Sequence, residues 1–224
     1  MKITWLGQSG YLLCDETHAV CIDPYLSDCV ERIAGRKRLY PAPFAPEDLK
    51  ADCVICTHDH PDHLDIDAIG RMDERILFLA PGEALPHLKA LGAERCAAFD
   101  EGEKVVIGDF VLEAVFARHS VPAVGVLVRH GGRALYFSGD TEYDVRLGSL
   151  PEVDGAFICI NGRLGNMNAE DAVKLAKILK PRFASPNHFD MLTGNTVDPS
   201  LFTDKVDFAW VPEHGKEYDL ECLI

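Results

Sequence analysis

Apolar residues are spread along this chain in short runs, most of them of strand rather than helix length. The runs at 2–6, 11–14 and 19–22 predict three strands, the last ending at Asp23-Pro24. A polar and basic connection then extends to about residue 50. Residues 53–57 read as a buried strand, 64–71 as a short helix, 75–80 as a strand, and Gly82 to Leu91 as a helix. Further β segments follow near 95–98, 104–107, 109–117 and 123–130. Gly131-Gly132 suits a hairpin turn with 133–138 as the returning strand. Residues 155–160 form another buried strand, and 182–186 and 208–211 close the chain. Between them Asn168 can cap a helix over 169–179, which puts Ala172, Leu175, Ala176 and Leu179 on one face.

Antiparallel-looking strands thus come in two batches, each followed by helices. That order predicts two packed sheets with helices outside, a four-layer αββα sandwich of the α/β class. A length of 224 residues fits a single domain spanning 1–224, and no repeat, low-complexity tract or linker divides it. No apolar run approaches the ~20 residues that span a bilayer. The N-terminal Met-Lys-Ile-Thr-Trp-Leu-Gly lacks the apolar core and cleavage site of a signal peptide, so the expected location is cytoplasmic, with no membrane partner.

Charge narrows the partners. The formal net charge of −14 is opposite to what displaces counterions from a phosphate backbone, so nucleic acid is not an expected partner. One basic run, Arg32, Arg36, Lys37 and Arg38, stands out and offers an anion-attracting rim, the alternative being a solvated charged face. In a cytoplasmic setting the eight cysteines are expected to be reduced core-fillers. Cys53 and Cys56, although spaced C-x-x-C, would point to opposite faces of their strand.

The strongest chemical signal is His58-x-His60-x-Asp62-His63, three imidazoles and a carboxylate within six residues where a buried strand stops. A strand end followed by a loop lets such side chains converge, and Pro61 stiffens the bend. Imidazole and carboxylate are ligands for Zn, Mn and Fe, and no interleaved cysteine points to a zinc ribbon. Similar residues recur just past other apolar segments: His119 in Ala-Arg-His-Ser, Asp140 in Phe-Ser-Gly-Asp-Thr and His188 in Ser-Pro-Asn-His-Phe-Asp. His18, His87, His130 and His214 have no motif context and read as structural or surface residues, and Asp59 and Asp65 as loop or helix-start carboxylates.

Asp23, His58, His60, Asp62, His63, His119, Asp140 and His188 stand in the order of the metallo-β-lactamase superfamily pattern, which the sequence resembles over nearly its whole length. The resemblance implies an αββα sandwich with a site for two divalent metal ions at one edge of the two sheets. In it His58, His60 and His119 would hold one metal, and Asp62, His63 and His188 the other. Asp140 would bridge them, and Asp23 would support the ligands from behind. Within the superfamily the chain looks like the ascorbate-6-phosphate lactonase-like group. The phrases that carry this are Trp5-Leu6-Gly7-Gln8-Ser9, Ile33-Ala34-Gly35, Ala42-Pro43-Phe44, Thr57-His58-Asp59-His60 and Ser138-Gly139-Asp140. That likeness favours Mn, with Zn and Fe also compatible.

Two adjacent cations lower the pKa of a bridging water from 15.7 to about 7 and so provide hydroxide at neutral pH. The expected reaction is hydrolysis of a lactone or ester in a small anionic substrate such as a sugar phosphate, with Asp62 and Asp140 as the catalytic carboxylates. Asn161 and Arg163, in the glycine-rich stretch after the strand at 155–160, are candidate substrate contacts, since an arginine there can hold a phosphate or carboxylate bidentately, the alternative being a turn with a solvated arginine. A homo-oligomer is compatible with the sequence. The alternative function is a phosphodiesterase or nuclease using the same metals, against which the acidic balance weighs. A di-iron redox protein is disfavoured by His60, where Glu would be expected. A scaffold that has lost its chemistry is disfavoured by seven intact candidate ligands.

Overall fold

The computed structural model describes residues 1–223. The first two apolar runs, β1 (Lys2–Gly7) and β2 (Gly10–Cys14), fold back on each other about Gln8-Ser9, and β3 (Ala19–Ile22) adds antiparallel to β2. A short helix, α1 (Cys29–Ala34), stops at Gly35, which takes the left-handed conformation that glycine tolerates. The next strands, β4 (Cys53–Ile55) and β5 (Leu77–Ala80), add in parallel to β3. Both are apolar at every position, as parallel strands covered on both faces require. Helix α2 (Leu85–Ala90) then leads to β6 (Cys96–Ala98), parallel to β5.

The second sheet starts as an antiparallel meander of β7 (Lys104–Ile107), β8 (Phe110–Phe116), β9 (Val124–His130) and β10 (Arg133–Phe137). Two strands then add in parallel, β11 (Gly155–Cys159) and, after helix α3 (Ala169–Leu179), β12 (Phe183–Asn187). The Asn168 side chain accepts a hydrogen bond from Asp171 N and so caps α3. Helix α4 (Ser200–Thr203) follows, and β13 (Glu217–Asp219) returns to pair antiparallel with β1 at the edge of the first sheet. The spatial orders are β13-β1-β2-β3-β4-β5-β6 and β12-β11-β10-β9-β8-β7.

Apolar side chains of both sheets meet between them. Tyr11 from the first sheet lies 5.3 and 4.6 Å from the rings of Phe137 and Phe157, which stack on each other at 4.4 Å. A second buried cluster, including Leu6, Val54, Phe78 and Leu88, covers the opposite face of the first sheet. The αββα architecture expected from the pattern is the one observed.

Several local expectations are corrected. Residues 64–71 form successive turns and one 3₁₀ element, Ile69–Arg71, rather than a helix: Asp65 O accepts from Ala68 N and Ile69 N, while the Asp65 carboxylate ties the segment to Leu26 N, Ser27 N and Ser27 Oγ. Segment 208–211 makes a single bridge, Ala209 to Ala184, rather than a strand. The sheets are mixed rather than antiparallel, and the connection after Pro24 holds α1.

Strand direction decides where the loops gather. β3 and β4 are parallel in one sheet; in the other, β8 and β10 both oppose β9, and β11 and β12 follow β10. The segments that leave β3, β4, β8, β10 and β12 carry, in turn, Asp23, His58 to His63, His119, Asp140 and His188.

Candidate metal centre

The seven side chains singled out from the motif and its recurrences, drawn from four separate segments, lie in one pocket. His58 Nε2 is 2.9 Å and His119 Nε2 3.2 Å from His60 Nδ1. Nearby, His63 Nε2 lies 3.3 Å from Asp140 Oδ1 and 3.7 Å from Asp62 Oδ2. His188 Nε2 lies 3.4 Å from Asp62 Oδ2 and 3.3 Å from Asp140 Oδ2. Asp140 Oδ2 is also 4.0 Å from His119 Nε2, so its carboxylate faces both groups of rings. Each of the sets His58-His60-His119, His58-His63-Asp140 and Asp62-His63-His188 offers ligand atoms within 4.8 Å of one another.

Surrounding residues fix which nitrogen faces inward. His63 Nδ1–H donates to Asp23 Oδ2 at 2.7 Å, leaving Nε2 toward the pocket. Asp23 is itself buried and accepts from Thr57 N at 2.7 Å and Thr57 Oγ1 at 2.8 Å. His119 Nδ1–H donates to Gly165 O at 3.2 Å, which aims its Nε2 at His60. The backbone is strained to achieve this. Of six non-glycine residues at positive φ among the described residues, five (Gln8, Asp23, Leu164, His188 and Asp190) lie in segments around this pocket; Lys180, the sixth, closes α3.

The donor set fits divalent cations. His63 Nε2 and Asp140 Oδ1 are buried and out of hydrogen-bond alignment with any group, a costly state for polar atoms away from water. Burial, together with His63, His60 and His119, keeps His58 well below its ordinary pKa, and burial lowers His119 as well. Both are therefore neutral imidazoles, the ligating form. Burial alone would lower His63 and His188, but Asp140 and the other carboxylates outweigh it; His63 is held well above its ordinary value and His188 is pushed up to about 9. Burial alone would raise Asp62 and Asp140, and the facing His63 and His188 outweigh it and hold both down. Without cations, protons on His63 and His188 balance the two carboxylates.

Sequence reasoning missed Gln8. Buried in the turn between β1 and β2, its Nε2 donates to Asp62 Oδ2 at 2.7 Å and lies 3.0 Å from His188 Nε2, while its Oε1 has no partner. A glutamine in a short turn carries no periodic or spacing signal. Asn161 is buried, and its Nδ2 donates to Asn195 Oδ1 at 3.3 Å. Arg163 Nη1 donates to Gly194 O at 3.3 Å, and Arg36 Nη1 donates to the same oxygen at 2.9 Å. Of the basic run, Arg38 belongs to the scaffold instead: its side chain is 6% exposed and donates to Tyr25 O, Ser27 O and Tyr40 O. Asp59 pairs with His87, His130 with Asp15, and His214 Nε2–H donates to Leu6 O.

Comparison with known proteins gives the family. The family described as Beta-lactamase superfamily domain matches residues 18–189, so the chain is a member of the metallo-β-lactamase superfamily. A Methanosarcina mazei protein described as a UPF0173 metal-dependent hydrolase is 31% identical, covering 92% of this chain and 91% of that one. The chain belongs with these metal-dependent hydrolases. Among solved structures, a metallo hydrolase from Ignicoccus hospitalis is 22% identical with a TM-score of 0.75, covering 97% of this chain and 98% of that one. The isothiocyanate hydrolase from Delia radicum gut bacteria is 19% identical with a TM-score of 0.80, covering 98% of both chains. Both likenesses concern the fold. Among the described residues no helix is long and apolar enough to cross a membrane.

Proposed function

We propose that this metal-dependent hydrolase holds two divalent cations and cleaves a lactone or ester bond in a small anionic substrate. The observation that carries this is the convergence of His58, His60 and His119 on one side of Asp140 and Asp62, His63 and His188 on the other. The first three side chains would hold one cation and the second three the other, with Asp140 between; Mn or Zn suits the donors, and Fe is compatible with them. Bound there, the cations supply Lewis acidity, which makes water nucleophilic near neutral pH and polarises the bond attacked.

The chain's own groups do the remaining work. Asp62 Oδ2 and Asp140 Oδ1 face the pocket and are placed to orient the attacking water and accept its proton. Asp23 fixes the ring of His63, and Gln8 holds Asp62 in its orientation. Arg163 and Arg36, which share the Gly194 carbonyl, offer guanidinium groups for the substrate's anion, and Asn161, bonded to Asn195, is a further candidate contact. A sugar phosphate is the substrate that the lactonase likeness supplies. Eight free thiols suit a cytoplasmic setting. A phosphodiesterase reading uses the same metals, and the net charge of −14 weighs against a nucleic-acid substrate.

The test is metal analysis by mass spectrometry, followed by activity on lactones, esters, phosphorylated sugars and phosphodiesters after reconstitution with each metal separately. Turnover of a lactone or ester, and loss of both metal and turnover in His58→Ala, is the expected result. Full activity in a stripped, metal-free sample, or turnover of phosphodiesters alone, would overturn the reading.

A further inference from the structure

A cavity of about 410 Å³, within the ~300–1,000 Å³ range of small-ligand sites, opens directly beside the candidate metal centre, with His60 and Asp62 forming part of its wall. The rest of that wall is mostly apolar, with Ser120, Asn195 and Arg36 as its polar members. Val30, Ile33 and Ala34 of α1 line one part, and Leu164 and Leu192 line another. Ile33 is 48% and Leu164 68% exposed, although both are large apolar side chains. They come from elements far apart in sequence and meet across one cleft. Leu164 sits there at φ 56°, a conformation in which leucine is strained and glycine would be at ease. The loop that carries it is tied to the metal centre by the His119–Gly165 hydrogen bond. Arg36 also lines the cavity, and Arg163 meets it at the Gly194 carbonyl, so two positive charges stand close together there.

We infer that this cavity is the substrate's seat for an apolar acyl or aryl group, and that the substrate is an amphipathic ester or lactone with an anionic group toward Arg36 and Arg163. The inference rests on the hydrolytic reading above and replaces its sugar phosphate with a carbon-rich molecule. A sugar presents hydroxyls all round; Val30, Ile33, Ala34, Leu164 and Leu192 give them no partners, and Ser120 and Asn195 are too few to satisfy them. An alkyl chain or ring instead removes Ile33 and Leu164 from water while its reactive carbonyl lies toward His60 and Asp62. The two guanidinium groups hold a carboxylate or other anion and relieve their mutual repulsion.

Two measurements on the metal-loaded protein test this. The first is hydrolysis of a homologous series of esters and lactones from acetyl to octanoyl. The second is direct binding of acetate, hexanoate and octanoate by calorimetry, which requires no turnover. Burial of each methylene should improve kcat/KM and affinity by up to about fourfold, the equivalent of about 0.8 kcal/mol at 1.36 kcal/mol per factor of ten. Ile33→Ser and Leu164→Ser, both at exposed positions that the fold does not need, should flatten both series. Arg36→Gln should weaken hexanoate and octanoate alike. Affinity independent of chain length, or a series unchanged in both serine variants, would overturn the apolar seat even if short esters are hydrolysed. Absence of ester and lactone turnover alongside chain-length-dependent binding would overturn the reaction and leave the seat standing.

Discussion

Asp23 touches no candidate substrate position, yet its replacement should be felt in both folding and metal binding. The carboxylate is buried and accepts three hydrogen bonds, from Thr57 N, Thr57 Oγ1 and His63 Nδ1, at 2.7, 2.8 and 2.7 Å. Asp23→Ala leaves three buried donors without an acceptor, each costing about 1–3 kcal/mol. The φ of 44° adds little to the difference, since aspartate already carries a β-carbon there, although Asp and Asn tolerate this region better than alanine. A loss of about 4–6 kcal/mol is expected after partial relaxation, against a typical total stability of 5–15 kcal/mol. Asp23→Asn keeps one oxygen for Thr57 and tolerates the left-handed backbone, so its cost should be nearer 1–3 kcal/mol. Both variants free the His63 ring to rotate, and loss of such a partner typically lowers metal affinity by about 10–100-fold. Urea denaturation of the metal-free proteins measures the first effect, and titration against a competing chelator measures the second. Metal affinity in Asp23→Asn equal to that of the parent protein would refute the claim that Asp23 orients His63.

Four further outcomes follow from the structure. The metal-free protein should lose thermal stability as pH rises from about 6.5 through about 9, because His188 and His63 have raised values in the folded state and their stabilising protons are present below the unfolded value and lost above the folded one; metal should abolish this trend, and a melting temperature flat across pH 6–10 in the stripped protein would contradict it. Metal at 100-fold over its Kd should stabilise the protein by about 2.7 kcal/mol in calorimetry or chemical denaturation, and chelation should reverse it. Gln8→Ala should reduce kcat more than it reduces stability, since it releases Asp62 Oδ2 from a 2.7 Å bond while removing a side chain whose Oε1 is already unsatisfied; an unchanged kcat would show that Asp62 is held by other means. Gly155→Ala should destabilise by about 1–3 kcal/mol, because a β-carbon there would stand 2.3 Å from the Phe183 ring and 2.8 Å from Leu135, and a thermal melt checks it.

Much of this is legible in the sequence, and the reasons are physical. Strands β4 and β5 are short and continuously apolar, and α3 shows both its cap at Asn168 and its buried face of Ala172, Leu175 and Ala176. Such local patterns survive folding because each residue's partner class is set by its own neighbourhood. The side chains His58 to His63 announce themselves by density, and His119, Asp140 and His188 by position at strand ends. What could not be read depends on partners distant in sequence. The stretch after Leu64 looks helical until Asp65 is bonded to Leu26 and Ser27, some forty residues earlier. Gln8 becomes meaningful only when β1 is placed beside Asp62 and His188. Arg38, grouped by charge with Arg36, turns inward because three backbone carbonyls await it. The apolar cavity is likewise invisible in the sequence, since α1 and the Leu164 loop lie on opposite sides of the chain's midpoint.

The pocket draws its side chains unequally from the two sheets: His58, His60, Asp62 and His63 leave the first, while His119, Asp140 and His188 leave the second. A cation gripped there would staple one layer of the sandwich to the other across a stretch of about 130 residues of chain, which is where closing a loop restricts the unfolded state most. During synthesis the first layer would emerge with four donors in hand and no counterpart, and would have to wait for β12 before the staple could close. Without metal the layers would still be held by the apolar core between them, and the weak point would be the pocket edge, where proteolysis of the metal-free chain should begin.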